Sequence, residues 1–278
     1  MSNNTVIEVK DLIFKYNEYV TALKGVSCEI KRGIVTAIIG QNGSGKTTLV
    51  KHFNGLLKPT KGIVLVDGKD TREYKIKELV SKVGYVFQNP THQLFNTNIE
   101  DEIAFGLRNL GVPEDEIKKR VEEAIKLFKL EQFKGRHPLR LSYPFRKMLA
   151  IASVYAMQPE VLILDEPTVA QDWVGYKLIR NLILDLRKRG RTIVVVTHDM
   201  MLVSEVADSC IVMKDGKIIA HEKPENLFVD DEILKMAHLK PPQVTQLASF
   251  LHNINSNIPR NILTIKQMEE VLLSYITH

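Results

Sequence analysis

Residues 40–47 read Gly-Gln-Asn-Gly-Ser-Gly-Lys-Thr, and they directly follow the apolar run 34–39, Ile-Val-Thr-Ala-Ile-Ile. The β-branched run predicts a buried strand, and residues 47–51 continue the chain as a predicted helix. In such a strand–loop–helix unit, glycines let backbone N–H groups wrap phosphates, and the helix N-terminus adds partial positive charge. Lys46 is then placed to reach the terminal phosphates, and the Thr47 hydroxyl to ligate Mg²⁺. This stretch therefore predicts binding of a nucleoside triphosphate.

Acidic and imidazole side chains follow two later apolar runs. Residues 161–164 read Val-Leu-Ile-Leu and precede Asp165 and Glu166, while the predicted strand 192–196 ends shortly before His198. Because the carboxyl ends of parallel strands lie beside the phosphate loop, we expect Asp165 to hold Mg²⁺ directly or through water. Glu166 is expected to polarise a water for attack on the γ-phosphate, and His198 to contact that phosphate or water. A helix-capping pair of acids is the weaker alternative.

The pattern along the chain predicts an α/β fold. Within the first 70 residues, β-branched or alternating runs predict strands at 6–9, 25–30, 35–39 and 63–66. A helical pattern extends from about 90 to 157, and strand signals then return, ending with a hairpin at 209–220 that turns at 214–216. We predict a nucleotide-binding domain over residues 1–240, with a helical subdomain at about 90–157 inserted into it. Gln88 ends a further predicted strand and is expected to ligate the metal.

Residues 241–278 differ in character and predict a helical extension. After a Pro-Pro break at 241–242, one helical face carries Val244, Leu247, Ala248 and Leu251. Residues 264–267, Thr-Ile-Lys-Gln, fit a capping box, and the helix that they begin carries Ile265, Met268, Val271 and Leu272. Two short amphipathic helices must cover an apolar surface. Packing on their own core and a subunit interface are equally good alternatives.

The composition is that of an ordinary globular protein, with 44% hydrophobic and 26% charged residues among 278. We expect no membrane span, because the apolar runs are short, and no secretory signal, because residues 1–10 lack its pattern. Two cysteines, Cys28 and Cys210, predict no disulfide framework and a reducing cytosol. The net charge of +5 is a weak hint towards a membrane surface or nucleic acid. Basic clusters at 118–120 and 187–189 are interpreted as solvated helix faces.

Taken in order, these segments resemble the ATP-binding cassette (ABC) ATPases over residues 5 to about 240. Residues 40–47 look like the family's Walker A, Gln88 like its Q-loop and residues 162–165 like its Walker B. The resemblance implies that Tyr16, in the Phe-Lys-Tyr run 14–16, stacks on adenine. The residues then implied to bind ATP are Tyr16, Gly40, Asn42, Gly43, Ser44, Gly45, Lys46, Thr47, Thr48 and Gln88. Those implied to bind Mg²⁺ are Thr47, Gln88 and Asp165, and those implied to act in catalysis are Lys46, Glu166 and His198.

A narrower resemblance is to the ATPase subunits of energy-coupling factor (ECF) importers, which feed vitamins or transition-metal ions into prokaryotic cells. It is carried by residues 87–95, Phe-Gln-Asn-Pro-Thr-His-Gln-Leu-Phe, by residues 99–113, and by residues 241–248, Pro-Pro-Gln-Val-Thr-Gln-Leu-Ala. This resemblance implies a location at the cytoplasmic face of the membrane. The implied partners are a second ABC ATPase subunit, a membrane scaffold contacted through a groove near Gln88, and a substrate-binding membrane subunit. Nucleic acid is not an expected partner.

The signature segment departs from the family's usual Leu-Ser-Gly-Gly-Gln, because residues 141–145 read Leu-Ser-Tyr-Pro-Phe. Ser142 is expected to cap the following helix, and Pro144 to fit its first turn. However, Pro144 offers no N–H to a phosphate, and the Tyr143 side chain obstructs the close approach that glycine permits. The D-loop, which ends at Asp172, also departs: residues 169–172 read Val-Ala-Gln-Asp where Ala-Gly-Leu-Asp is usual.

The altered and intact motifs fall into two functional groups. In this family each ATP site lies between two subunits, with Walker motifs from one and the signature and D-loop from the other. The elements that this chain would use on its own nucleotide are intact, whereas both elements that it would lend to a partner are altered. This division predicts one half of an asymmetric ATPase heterodimer, and ordinary family variation is the alternative.

Two other functions are weighed against a transport ATPase. A soluble ABC ATPase acting on nucleic acid usually carries a long coiled-coil insertion or a second cassette, and this sequence shows neither. An ATP-sensing subunit with little turnover is disfavoured by the presence of Glu166 and His198. The sequence therefore predicts an ATP-hydrolysing subunit that energises a membrane importer.

Overall fold

The computed structural model describes residues 4–276. The strands in this part of the chain are β1 (Thr5–Lys15), β2 (Thr21–Lys31), β3 (Val35–Ile39), β4 (Lys61–Val66), β5 (Lys69–Asp70), β6 (Val83–Val86), β7 (Val161–Asp165), β8 (Thr192–Val196), β9 (Ser209–Lys214) and β10 (Lys217–Glu222). The helices are α1 (Lys46–Phe53), α2 (Ile76–Lys82), α3 (Ile99–Leu110), α4 (Glu114–Leu127), α5 (Tyr143–Ala156), α6 (Trp173–Lys188), α7 (Met200–Val206), α8 (Pro224–Leu227), α9 (Asp231–Ala237), α10 (Gln243–Ile254) and α11 (Ile265–Ile276).

These strands form two sheets, which confirm the predicted α/β class. The first is antiparallel, in the order β2-β1-β4-β5. The second has the order β10-β9-β3-β8-β7-β6, and it is parallel except for the hairpin strand β10. Parallel neighbours require crossover connections, which explains why helices separate these strands in sequence. Because β3 lies between β8 and β9, the loop that follows it sits over the middle of the sheet, where such folds bind ligands.

Helix α1 is held between the two sheets by apolar packing. Its residues Leu49 and Phe53 share one buried cluster with Leu12 of β1 and Val194 of β8. Side chains alternate along a strand, so Val195 points to the opposite face and joins a second cluster formed mainly by α3 to α6. Each such side chain contributes roughly 1.5–3 kcal/mol when buried. The start of α1 is therefore fixed relative to the ends of the parallel strands.

The local strand and turn predictions are confirmed. All four predicted runs of the first 70 residues lie within β1 to β4. The hairpin of β9 and β10 turns at Asp215 and Gly216, whose φ angles are 48° and 79°. Two consecutive positive φ angles are what a two-residue hairpin loop requires, and an Asp-Gly pair adopts them readily.

The expectation that Ser142 caps the following helix is wrong. Helix α5 begins at Tyr143, but the Ser142 side chain makes no capping hydrogen bond. An N-cap oxygen ordinarily accepts from the N–H of the second or third helical residue. Pro144, the second, has no N–H, and the Ser142 side chain does not bond to that of Phe145, the third. The turn is instead closed through the backbone, since Arg146 N donates to the Ser142 carbonyl at 2.9 Å.

The helical extension forms a small core of its own. The predicted capping box is present: Gln267 Oε1 accepts from Thr264 N at 3.0 Å, and Thr264 Oγ1 accepts from Gln267 N at 3.2 Å. Buried side chains from both helices and their connection form one cluster, comprising Ala248, Ile258, Ile262 and Met268. Three residues of the predicted stripes lie outside it, because Leu247, Ile265 and Leu272 are 45%, 78% and 37% exposed. An ion pair between Arg260 and Asp231, at 3.3 Å, ties the extension to α9.

The structure also tests the expectations about cysteines and membrane spans. Cys28 and Cys210 are both free thiols, and both are buried. Burial raises the pKa of both thiols, that of Cys28 to about 12, so neither is a reactive thiolate near neutral pH. Among the helices between residues 4 and 276, none combines the length and hydropathy needed to cross a bilayer.

A buried histidine in α1 predicts a loss of stability in mild acid. His52 is fully buried, with Nδ1 2.8 Å from the Thr48 carbonyl and its ring edge-on to Phe14. Burial lowers the pKa of His52 in the folded state, so protonation favours the unfolded chain. Its contribution is therefore present above the unfolded pKa of about 6.5 and is lost as pH falls through it. Below that value the free energy of unfolding should drop by up to about 1.4 kcal/mol per pH unit.

Melting temperatures between pH 8 and pH 5 measure this effect. His52→Leu cannot be protonated, and we expect a flatter pH dependence even if its absolute stability is lower. His238→Asn is the matched control, because His238 is exposed, has a φ of 52° and can be replaced by a residue that tolerates this conformation. An unchanged pH dependence in His52→Leu would show that other groups dominate acid unfolding.

Candidate nucleotide-binding and hydrolysis site

The loop at 40–47 has its shape because strand β9 approaches it closely. Gly40 has a φ of 147°, and a Cβ atom there would lie 2.2 Å from the Met213 carbonyl oxygen of β9. Gly45 has a φ of 101° and forms the N-cap of α1. The hairpin turn supports the loop from behind, since Gly216 N donates to the Ser44 carbonyl at 3.1 Å. Only glycine fits the first position, and the loop can present its N–H groups at the start of α1.

Lys46 is buried at the centre of this loop. Its Nζ donates to the carbonyls of Gly40 at 2.8 Å and Gln41 at 2.9 Å. Burial lowers the pKa of Lys46, while the negative charges of Glu166 and Asp165 oppose the shift. An ammonium group has three N–H bonds, so two of them can organise the loop while the third is available to a phosphate oxygen.

The Asp165 carboxylate at the end of β7 faces the same loop. Its Oδ2 accepts from Thr47 Oγ1 at 2.9 Å and from the Tyr85 hydroxyl at 2.7 Å. Its Oδ1 is buried and has no hydrogen-bond partner among residues 4–276. Burial raises the pKa of Asp165, against the hydrogen bonds from Tyr85 and Thr47, which lower it. A buried carboxylate oxygen without a donor is a position that a cation would satisfy.

These oxygens fit Mg²⁺ bound together with a nucleotide. Mg²⁺ prefers oxygen ligands and usually takes only one or two carboxylates, completing its shell with waters and substrate phosphates. The described residues contain no cluster of three or more His, Cys, Asp or Glu side chains suited to a metal ion. The Thr47 hydroxyl and Asp165 Oδ1 are the side-chain oxygens best placed for this role.

Glu166 and His198 form a pair at the ends of β7 and β8. The Glu166 side chain is buried, and its Oε1 lies 2.9 Å from His198 Nδ1, while its Oε2 accepts from Thr197 Oγ1 at 3.3 Å. His198 is far more open, with 61% of its side chain exposed. If Nδ1 carries the proton shared with Glu166, Nε2 is left at the exposed side of the ring. The pair therefore places a carboxylate that can accept a proton beside an imidazole that orients it.

A cleft of about 550 Å³ joins the phosphate loop and Glu166 to Tyr16 and Gln88. It is lined by the phosphate loop, by Glu166 and by the β9–β10 turn at Asp215 and Gly216. Tyr16 is 54% exposed at this cleft, and its hydroxyl lies 3.1 Å from Thr48 Oγ1. Its ring contacts Phe14 edge-on, with 4.9 Å between the ring centroids. The cleft thus offers an aromatic side chain at one end and the phosphate loop at the other.

The signature and D-loop residues lie on other elements and do not line this cleft. Asp172 caps α6, since its Oδ1 accepts from Gly175 N at 2.8 Å. Ala170 has a φ of 59°, at the position where the family pattern has glycine. Left-handed backbone costs an alanine roughly 1–2 kcal/mol, so the D-loop keeps the glycine-type conformation despite the substitution.

Sequence reasoning missed two polar side chains that shape the site. Tyr85 holds Asp165, and Lys147 of α5 donates to the Asp165 carbonyl at 2.8 Å. Tyr85 lies on β6, three residues before Gln88, and nothing in the local sequence indicates that its hydroxyl meets Asp165, 80 residues away. The sequence does indicate that Lys147 is unusual, because it is the one charged residue in the helical stretch 147–152, which is otherwise apolar. A lone lysine on a buried helix face implies that its ammonium group has specific acceptors.

Taken together, a strand, glycine loop and helix with carboxylates at the neighbouring strand end define a P-loop nucleotide-binding protein. The sequence pattern of the family described as "ABC transporter" matches residues 23–169. The energy-coupling factor transporter ATP-binding protein EcfA of Methanocaldococcus jannaschii is 43% identical over 275 residues, covering 98% of each chain. The chain therefore belongs to the ABC transporter family, and it is an ABC-type ATPase that binds and hydrolyses ATP.

Solved structures agree with this assignment. The structure of cbiO1 from Clostridium perfringens, described as part of the ABC transporter complex cbiONQ, superposes with a TM-score of 0.73 at 39% identity. That match covers 89% of this chain and all of cbiO1. The ATP-binding cassette MJ0796, solved as a dimer with ADP and Pi, gives a TM-score of 0.71 at 31% identity. It covers 78% of this chain and 98% of the cassette.

Proposed function

We propose that this ATPase energises an ECF-type importer for a vitamin or a transition-metal ion, acting at the cytoplasmic face of the membrane as one half of an ATPase heterodimer. The observation that carries the energising role is the buried Glu166 carboxylate, paired with His198 beside the phosphate loop. The nearly full-length similarity to EcfA and the likeness to cbiO1, part of the complex cbiONQ, support the type of importer.

Within this proposal each polar group of the cleft has a separate task. Lys46 and the N–H groups of the loop bind the terminal phosphates, and Tyr16 stacks on the adenine. Glu166 accepts the proton of the attacking water while His198 holds its carboxylate. Thr47, Asp165 and Gln88 hold Mg²⁺, which neutralises charge on the phosphates when it is bound.

We further propose that an apolar groove beside the Gln88 segment receives a helix of the membrane scaffold. The groove has a volume of about 660 Å³ and is lined by Ile76, Phe87, Phe95, Phe105 and Met157, among others. Phe95 is 62% exposed and packs edge-on against Phe105. The loop that carries Phe95 is fixed, because the buried Glu102 accepts from the N–H groups of Phe95 and Asn96. Exposed aromatic side chains on a rigid loop favour an apolar helical partner.

The same proposal assigns the domain boundaries of the chain. Residues 1–240 form the ATPase domain, with residues of about 90–157 as its helical subdomain, and residues 241–278 form the extension. On α10 the residues Leu247, Phe250 and Ile254 are exposed at helical spacing. This stripe supports contact of the extension with the second ATPase subunit, while the small core described above holds the extension itself.

Purification from native membranes tests the proposed function. The tagged chain, extracted in mild detergent, should retain a second ABC ATPase and proteins with several membrane spans, identified by mass spectrometry. Phe95→Ser should lose the membrane-spanning proteins but keep ATP binding. Met236→Ser is the matched control, because Met236 is exposed on α9, away from the groove. A chain that carries full ATPase activity without membrane proteins, and binds DNA or RNA in a salt-sensitive way, would overturn the proposal.

Tyr16→Ala is expected to weaken ATP binding by about 1–3 kcal/mol, the range for a base stacked on an aromatic ring. Tyr16→Phe should restore most of this affinity, since it removes only the hydroxyl bonded to Thr48. Nucleotide titration gives the affinity, and the melting temperature without nucleotide provides the control. A core tyrosine would instead lose thermal stability on truncation with no specific effect on nucleotide.

A further inference from the structure

The first turns of α5 are bonded to the ends of two strands of the same chain. Lys147 is fully buried, and its Nζ donates to the carbonyls of Phe87 at 3.0 Å, Gln88 at 2.9 Å and Asp165 at 2.8 Å. These three bonds use every N–H of the ammonium group. Burial lowers the pKa of Lys147 to about 8, with the charges of Asp165 and Glu166 opposing the shift. One side chain thus joins α5 to the positions that follow β6 and end β7.

Tyr143 also donates a hydrogen bond to the residues that follow β6. Its hydroxyl donates to the Gln88 carbonyl at 3.3 Å, so that carbonyl accepts from both Tyr143 and Lys147. The guanidinium of Arg146, three residues further along α5, lies over the Tyr143 ring. Arg146 also donates a hydrogen bond to Thr91 Oγ1 at 3.2 Å. The residues 87–91, hereafter the Gln88 segment, are therefore held by three side chains from the start of α5.

The altered D-loop is bonded within the chain as well. Gln171 Nε2 donates to the Pro144 carbonyl at 3.3 Å. Tyr143 and Gln171 both stand where the family pattern has another residue, glycine in the first case and leucine in the second. Each of them makes a side-chain hydrogen bond that glycine or leucine could not make. The departures from the family pattern therefore coincide with new contacts inside this chain.

We propose that Tyr143 and Lys147, together the α5 clamp, are positioning residues that fix Gln88 for the chain's own nucleotide site. In relatives the start of this helix contacts the nucleotide of the partner subunit. Here, by this proposal, the start of α5 instead supports the nucleotide site of its own chain. The Gln88 carbonyl accepts hydrogen bonds from Tyr143 and Lys147, and Gln88 lines the ATP cleft. The inference rests on the proposed role of Gln88 in binding Mg²⁺.

Hydrogen exchange on the full chain tests the clamp without reference to metal or activity. Tyr143→Phe removes one hydroxyl and leaves the ring, so the fold should be retained. Because one hydrogen bond of this kind is lost, we expect amides of the Gln88 segment to exchange about fivefold faster. Tyr155→Phe is the matched control, since Tyr155 lies on the same helix with its ring against Phe128. Equal exchange in Tyr143→Phe and in the wild type would overturn the proposal.

A second measurement asks whether the clamp acts through Gln88. ATP binding is titrated by calorimetry at increasing Mg²⁺ and again with excess chelator, in a Glu166→Gln background that conserves ATP. Tyr143→Phe should raise the Mg²⁺ concentration for half-maximal ATP binding about three- to tenfold, roughly the effect of losing one supporting hydrogen bond around a metal site. Lys147→Met removes three hydrogen bonds and should raise this concentration at least as much. Binding of ATP without Mg²⁺ should stay the same, which a general loss of structure would not allow.

Gln88→Ala separates failure of the clamp from failure of the proposed function. If Gln88→Ala shifts the Mg²⁺ dependence while Tyr143→Phe and Lys147→Met do not, the clamp is overturned and the role of Gln88 stands. If Gln88→Ala has no effect, the role of Gln88 in metal binding is wrong, and the clamp as proposed falls with it. A shift in all three variants, with faster exchange in the Gln88 segment, supports both.

Discussion

Glu166→Gln should leave ATP binding nearly intact and slow ATP turnover by about two orders of magnitude or more, as loss of a positioned general base does. The amide keeps the size of the side chain but cannot accept a proton from water. The single amide oxygen can replace only one of the two carboxylate acceptors, since His198 Nδ1 lies 2.9 Å from Oε1 and Thr197 donates to Oε2 at 3.3 Å. The amide NH2 then faces the other partner, and either the Thr197 hydroxyl or an imidazole nitrogen can accept from it. The geometry of the cleft should therefore survive the substitution, and the loss should fall on the chemical step.

ATPase rates of the assembled complex and nucleotide affinities of the same preparation measure this prediction. Asp199→Asn is the matched control, since it removes a nearby negative charge while keeping a side-chain oxygen that can cap α7. Lys46→Ala provides a contrast, because it should weaken nucleotide binding itself. If Glu166→Gln hydrolyses ATP at the wild-type rate, the assignment of the base to Glu166 is wrong.

The second large effect is an asymmetry between two ATP sites. In a complex with an ATPase that has an intact signature, Glu166→Gln should abolish most activity, and the equivalent change in the partner should cost much less. The partner's nucleotide would face Tyr143 and Pro144, where one N–H donor is missing and the tyrosine ring adds bulk. Losing one such donor to developing charge costs roughly 10²–10³ in rate. Purified alone, this chain should dimerise poorly with ATP.

Placing the Glu→Gln change in each subunit in turn, and measuring ATPase and transport, tests the asymmetry. The double variant Tyr143→Gly, Pro144→Gly should raise the contribution of the partner's site. Equal losses from the two Glu→Gln changes would contradict the asymmetry. So would brisk ATP hydrolysis by this chain as a homodimer. In either case residues 141–145 would be ordinary family variation.

Features encoded in a few consecutive residues were predictable from the sequence. The strand before residue 40, the Asp-Gly hairpin turn and the Thr264–Gln267 capping box all depend on backbone preferences and hydrogen bonds between near neighbours. The phosphate loop belongs to the same class, since its glycines, lysine and threonine are contiguous. The pairing of Walker motifs with strand ends followed from the rule that parallel strands carry their ligands at the carboxyl edge.

Contacts between distant segments were decided by the tertiary structure alone. Lys147 meets Phe87 across 60 residues, and Tyr85 meets Asp165 across 80, so neither partner can be read from local spacing. Whether Leu247 is covered depended on how α10 packs. The sequence by itself determined the nucleotide chemistry and the fold class, because local motifs encode both. Only packing of α5 against β6 and β7 decided which acceptors a buried ammonium group would find.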